Sequence, residues 1–216
     1  MMHWRLGVRM LFLAGLLAAL AATAQAERQP FVFDRAHSQI NFVADALLIS
    51  AHGYFERFDG EILVDRQNLE NSSIRLVVEA ASINTRNERR DNHLRSADFF
   101  DAANHPQITF TSTAIRRVDE KNAIITGELT IRGNTRTIEV PTQIVFLRDT
   151  GGRFRGQFQI NRKEFGINYN SAMNPIDDVV TVQFDFHLVD QQAMEQRRQQ
   201  RQQQQPQQQQ PGNPGR

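Results

Sequence analysis

The stretch Arg89–Pro106, RRDNHLRSADFFDAANHP, gathers residue types that move protons and hold metals. Asp91 and His93 lie two positions apart, and Asp98, Asp101 and His105 follow. A carboxylate beside an imidazole is the usual couple for general acid–base work. Zinc asks for three or four such ligands at defined spacing. The histidines beyond the N-terminal segment are His37, His52, His93, His105 and His187. They form no i, i+4 pair, no HExxH motif and no set with zinc-like spacing. Ser38 follows His37, but neighbouring side chains on a strand point apart, so the two make no nucleophile–base pair. The chain has no cysteine, which excludes thiolate nucleophiles, Cys-based zinc sites and disulfides. A nucleophile elbow, a P-loop and a dinucleotide loop are also missing; the glycines of GELTIRG and GGRFRG are turn and strand glycines. The residues therefore nominate no catalytic group and no metal site. One enzymatic alternative remains, an enzyme acting on a bound lipid or small molecule with His93 and Asp91 as acid and base.

The elements that must position this stretch are strands. Between Phe31 and Asp190 apolar residues recur every second position. QINFVAD aligns Ile40, Phe42 and Ala44; SIRLVVEA aligns Ile74, Leu76, Val78 and Ala80. ITFTSTAI sets Ile108 and Phe110 against three threonines. AIITGELTIRG aligns Ile125, Gly127, Leu129 and Ile131, and TIEVPTQIVFL begins with Ile138 and Val140. RFRGQFQI places Phe154, Gly156, Phe158 and Ile160 on one face. VVTVQFDFHL does the same with Val180, Val182, Phe184, Phe186 and Leu188. GYFERFDGEILVD loses the rhythm at Phe55 and Phe58, which predicts a bulge or bend between Gly53 and Gly60. Gly133-Asn134 predicts a tight hairpin, and RDTGGR and VDEKNA predict two more turns.

The fold class is all-β: a lipocalin-like up-and-down antiparallel barrel of about eight strands with a short helical lid segment. A barrel of about this size is either just filled or holds one ligand. Periodicity alone does not choose between the two. The small Ala44, Gly127 and Gly156 on the inner face argue for room. With 15 Phe against two Tyr and one Trp, any interior is greasy and suits a long apolar molecule with at most one polar end. A membrane-spanning barrel would place its apolar side chains outward and its polar ones in the lumen. This chain lacks aromatic girdles and ends in a polar tail.

On this scaffold the charged stretch reads as a lid. Asp91 is expected to cap a short helix through His93, Leu94 and Arg95, and Ser96 a second turn through Phe99 and Phe100. His105-Pro106 then fixes an extended entry into the next strand. Leu94, Phe99 and Phe100 would plug the barrel end, and Arg89, Arg90, Asp91 and Arg95 would tie the plug to its neighbours. Either an Arg or His here meets a polar head group at the mouth, or these residues pair with one another and with Asp98 and Asp101.

The ends are of another kind. Residues 1–26 combine Arg5 and Arg9, the apolar run LFLAGLLAALAATA and the small-x-small site Ala24-Gln25-Ala26, the grammar of a secretory signal peptide cleaved after Ala26. That predicts a periplasmic or secreted protein. Residues 27–190 make the barrel, and the Gln-rich 191–216 has the composition of a disordered tail. With 25 Lys and Arg against 24 Asp and Glu, no basic footprint for nucleic acid exists.

Several stretches together resemble one known family. They are DRAHSQINF, GYFERFDGEILVD, SINTRNERRDNHLRSADFFDAANHPQITFTST, GELTIRGNTRTIEVP, NRKEFGI and DDVVTV. In order and spacing, from about Phe31 to Val189, they look like the YceI-like family of lipocalin-like, polyisoprenoid-binding barrels. The resemblance implies a periplasmic eight-stranded barrel that holds an isoprenoid, quinone-like or other long-chain lipid. It implies no established enzymatic activity and no required cofactor. The expected ligand contacts are Ile40, Phe42, Leu76, Val78, Phe110, Leu129, Phe154, Gly156, Phe158, Val182, Phe184 and Phe186. Arg90, Asp91, His93, Leu94, Phe99 and Phe100 stand at the lid and mouth. The partner is a long apolar lipid, with a membrane or membrane-protein donor or acceptor, and a second copy of the chain, as further candidates. The rival from outside the binding class is a structural, stress-response protein with a filled barrel.

Overall fold

The period-two stretches become the strands of one closed wall. A computed structural model describes residues 28–204; the signal peptide expected over 1–26 and the tail beyond residue 204 lie outside the described residues. The order begins with β1 (Gln29–Phe33), β2 (Gln39–Ala46), β3 (Ala51–Phe55), β4 (Phe58–Val64), β5 (Ser73–Glu79) and β6 (Ile83–Asn84). It continues with α1 (Glu88–Arg95), β7 (Gln107–Arg117), β8 (Asn122–Ile131), β9 (Asn134–Arg148), β10 (Gly151–Asn161), β11 (Ile176–Asp190) and α2 (Gln191–Gln204). All pairings are antiparallel. Eight strands close in the order β1-β4-β5-β7-β8-β9-β10-β11, and β11 returns to β1. The 15-residue β11 is shared: its end at Leu188–Asp190 pairs with β1, while its earlier half pairs with β2. From β2 the short strands β3 and β6 extend the wall on one side. Closure leaves the eight strands without free edges.

Local irregularities decide which side chains face in. A register shift between Ser112 and Ala114 turns β7 over, so Phe110 and Ile115 both face the interior although they differ in parity. The lost rhythm near Phe55 is the passage from β3 to β4 across Glu56 and Arg57, and these two strands pair with different partners. The hairpin from β8 to β9 turns on Arg132 (φ 50°) and Gly133 (φ 72°), with Ile131 opposite Asn134. Positive φ at both central residues is the primed turn that matches strand twist. Its centre lies one residue earlier than Gly133-Asn134.

The lid segment differs from expectation in its caps. Asn87, not Asp91, caps α1: its side chain accepts from Arg90 N at 3.1 Å. Asp91 lies within the helix, buried, and its Oδ1 accepts from Thr85 N (2.8 Å) and Thr85 Oγ1 (2.5 Å). Ser96 closes the helix instead of opening a second turn; its Oγ donates to His93 O at 2.7 Å. Phe99 and Phe100 follow in a non-helical turn. Both Asn87 and Asp91 have cap chemistry, and the one that can reach a free amide at N3 wins.

Composition predicts disorder from Gln191, but Gln191–Gln204 is helical. Gln, Glu, Arg, Met and Ala are all good helix formers. Asp190 supplies a start, accepting from Ala193 N at 2.8 Å.

Candidate functional site

The inward faces of the strands enclose a lumen of about 580 Å³. Its wall is almost wholly aliphatic and phenylalanyl, which suits an apolar guest. Of the expected contacts, Ile40, Phe42, Leu76, Val78, Phe110 and Leu129 line it, and so do Phe154, Phe158, Val182, Phe184 and Phe186. Gly156 does not.

The reason lies in how glycine is used. A Cβ on Gly156 would stand 2.6 Å from Phe184 Cε1, and one on Gly127 would stand 2.5 Å from Phe110 Cζ. Gly53 stands in the same relation to the Phe42 ring, its cross-strand partner. These glycines leave no empty space at their own positions. Each lets a neighbouring phenyl ring lie flat against the wall. A ring held flat keeps its bulk out of the middle of the barrel, so the lumen stays open although its lining is aromatic.

The two ends differ. At the end near the 117–122 and 148–151 turns, Phe31, Phe33, Ile62, Val64 and Leu188 form a buried cluster. Phe33 meets Phe58 and Phe186 edge-on, with ring centroids 5.4 and 5.0 Å apart. This geometry is favoured for aromatic pairs. The other end carries α1 and the segment to Pro106, the 162–175 connection and the hairpin between β2 and β3. Phe99 is buried there with Phe165 and Ile167, and Leu94 and Phe100 pack against that cluster.

Hydrogen bonds tie the lid down. Arg90 donates from Nε to Thr85 Oγ1 (2.8 Å) and from Nη2 to Thr85 O (2.9 Å). Arg95 donates to Ala81 O and Ile83 O, both at 2.8 Å. Arg132 reaches Phe99 O and Gly166 O. His93 Nε2 meets Asp98 Oδ2 at 2.8 Å, and its ring stands edge-on to Phe99 and Tyr169. The charged groups of the stretch are thus engaged mainly with the protein itself. Arg90 and His93 still reach the lumen wall, together with Leu94, Phe99 and Phe100; Asp91 does not. Asp91 and His93 do not meet, since one faces Thr85 and the other Asp98. The acid–base couple of the enzymatic alternative is therefore not assembled.

The sequence pattern gave no sign of Arg162. It is 3% exposed and lines the lumen. Nε donates to Asp177 O (3.0 Å), Nη1 to Ile167 O (2.8 Å) and Tyr169 O (2.7 Å), and Nη2 to Ile176 O (3.0 Å) and Asp178 Oδ1 (3.3 Å). One guanidinium thus shapes the whole 162–178 connection, a role that its five fixed donors suit. Four of its five acceptors are backbone carbonyls, up to 15 residues away, and no side-chain spacing encodes such a site. Tyr169, Ser171 and Asn174, also unforeseen, give this end of the lumen its polar atoms.

Titration behaviour points away from the lumen. Hydrogen bonding from Arg153 holds Asp185 below the usual carboxylate range, Arg57 does the same for Glu79, and His37 for Asp34. None of these carboxylates lines the lumen. Among the described residues, no group of three or more His, Asp or Glu is placed to hold a metal.

Comparison with known proteins agrees with this architecture. The chain is similar to a UPF0312 protein of Azotobacter vinelandii, 30% identical over 176 residues, which is 77% of this chain and 92% of that protein. It is similar to Protein YceI of Escherichia coli, 32% identical over 155 residues, 68% of this chain and 81% of that one. Among solved structures, BcnA of Burkholderia cenocepacia matches with a TM-score of 0.67 at 25% identity, covering 72% of this chain and 98% of BcnA. A polyisoprenoid binding domain from Saccharophagus degradans shares the fold, with a TM-score of 0.62 at 18% identity over 75% of this chain and 99% of that domain. The family model described as the YceI-like domain matches residues 31–188, all of the barrel, and the chain belongs to that family.

Proposed function

We propose that this protein holds one long, chiefly apolar lipid of isoprenoid or quinone-like type in its barrel, and carries or shelters it in the periplasm. The observation that carries this reading is the lumen: about 580 Å³ bounded mainly by Ile, Val, Leu and Phe, with Arg90, His93, Tyr169, Ser171 and Asn174 at the lid end. An enclosure this apolar has no favourable use for water, and burying a polymethylene or prenyl chain gains about 0.8 kcal/mol per CH2 before ordering costs. A filled barrel would leave no such volume. The polar atoms near Arg90, His93 and Tyr169 suit a ligand with one polar end. The name of the Saccharophagus degradans domain supports the choice of an isoprenoid. The signal-peptide grammar of residues 1–26 supports the compartment.

Native mass spectrometry of the exported chain, followed by organic extraction of the same sample, tests the reading. A one-to-one adduct that extracts as a prenyl or quinone species is the expected result. A clean apo mass that stays apo after addition of prenyl lipids would overturn it.

A further inference from the structure

The hairpin between β2 and β3 carries Leu47, Leu48 and Ile49, which are 73%, 69% and 70% exposed. Beside it, the loop before β11 carries Met173, 85% exposed. The other exposed large apolar side chains, Val118, Val145, Phe146 and Val179, are only 39–52% exposed. The two loops form one unit. Leu47 N donates to Pro175 O (3.0 Å), Leu48 N to Asn174 Oδ1 (2.7 Å), and Asn174 Nδ2 to Ile49 O (3.3 Å). The backbone of the crest is therefore braced while its apolar side chains stand in water.

Two further features say what covers it. The segments ALLISA (46–51) and SAMNPI (171–176) contain no charged residue. The crest is also continuous with the lumen: Ala46, Ile49 and Ala51 from one loop, and Ser171, Asn174 and Ile176 from the other, line the cavity. Ile49 is at once strongly exposed and part of the lumen wall. An apolar ligand reaching this lumen through water would expose its chain on the way. If the crest enters an apolar phase, the path from that phase to the lumen stays covered.

We propose that this crest docks into the surface of a lipid bilayer, with Leu47, Leu48, Ile49 and Met173 at the boundary between head groups and acyl chains, so that lipid enters and leaves the lumen there. The proposal rests on the lipid-binding reading above and adds the donor surface to it. The neighbouring charges are Asp45, Asp177 and Asp178, with Lys163 paired to Asp178. They offer nothing to anionic head groups, so the attraction is apolar and not electrostatic. It follows that neutral phosphatidylcholine vesicles suffice and that added salt changes little.

The test uses the chain from Glu27 onward and a variant combining Leu47→Ser and Leu48→Ser, two crest residues that do not line the lumen. Two measurements are made: flotation with neutral phosphatidylcholine vesicles, and loading of a polyprenol from those vesicles or from an ethanol dispersion. The wild type is expected to float. The variant should lose flotation and load from vesicles slower by about tenfold or more, while loading from ethanol to the same stoichiometry. A wild type that does not float, or that floats only with anionic vesicles, would overturn docking and leave lipid binding standing. So would a variant that loads from vesicles at the wild-type rate, or one whose only change is loss of a dimer. Failure of both proteins to load from ethanol would overturn the lipid-binding reading, and docking with it.

Discussion

Two structures share the mouth of this barrel and are built in opposite ways. The lid, from Glu88 to Pro106, turns its apolar residues inward and ties its polar ones to backbone: Phe99 is 8% exposed, and Arg90 and Arg95 donate to Thr85, Ala81 and Ile83. The crest, at 46–51 and 171–176, ties its backbone together and turns its apolar residues out. A lid that has internalised every good contact gains nothing from opening. A crest with Leu48 and Ile49 in water gains from any apolar surface it meets. The difference suggests that one side of the mouth is the fixed wall and the other the point of contact.

Phe99→Ala should have the largest effect. Phe99 lies in the same buried cluster as Phe165 and Ile167, and Arg132 donates to its carbonyl. Truncating a buried Phe costs about 3–5 kcal/mol, so the denaturant midpoint should fall steeply. A loss below about 1 kcal/mol would mean that the lid is not part of the cooperative core, and the contrast with the crest would fail. Leu94→Ala is the gentler companion: it lines the lumen without being fully buried. It should quicken release of bound lipid while the protein still folds, and an unchanged release rate would mean that Leu94 does not help the wall retain the lipid.

Asp91 comes next. Its Oδ1 is the acceptor for both Thr85 N and Thr85 Oγ1, and Arg90 grips the same Thr85. Asp91→Ala leaves buried donors without a partner, at about 1–3 kcal/mol. Asp91→Asn keeps an acceptor oxygen and should cost less. If the two variants are equally stable, this network does not hold the lid. A true acid–base role would instead show as loss of some turnover in both, with stability unmoved.

How much of this was legible follows from what kind of order each element has. Strand faces repeat every two residues, so Ile40, Phe42, Leu129, Phe184 and Phe186 could be placed on the inward face from spacing alone, though not at an open lumen. Gly156 could not, because its role is relational: it makes room for the Phe184 ring across the strand pair. The cap of α1 was misplaced by four residues because Asn87 and Asp91 carry the same chemistry, and only the position of Thr85 separates them. Arg162 stands in the stretch NRKEFGI, but its role was not legible because its acceptors are mostly main-chain oxygens brought round by the 162–178 connection. The crest gave no signal in the sequence, because exposure is a property of the fold and an apolar triplet such as Leu47-Leu48-Ile49 reads by default as interior.

The smallest expected effect is the most discriminating for the crest. Combining Leu47→Ser with Leu48→Ser removes two large side chains that are 73% and 69% exposed. Surface substitutions away from caps, turns and buried contacts usually move stability by no more than about 0.5 kcal/mol. The crest's own hydrogen bonds use Leu47 N, Leu48 N and Ile49 O, which the substitutions leave in place. The unfolding midpoint should therefore stay near that of the wild type. Suppose instead that the double variant is destabilised by 2 kcal/mol or more, the range of a buried Leu or Ile truncation. Leu47 and Leu48 would then be packed in solution, against the lid or a second copy, and the asymmetry of the mouth would not exist. With stability unchanged, loss of vesicle flotation could not be put down to misfolding. The same side chains would then be ones that folding does not need and membrane contact does.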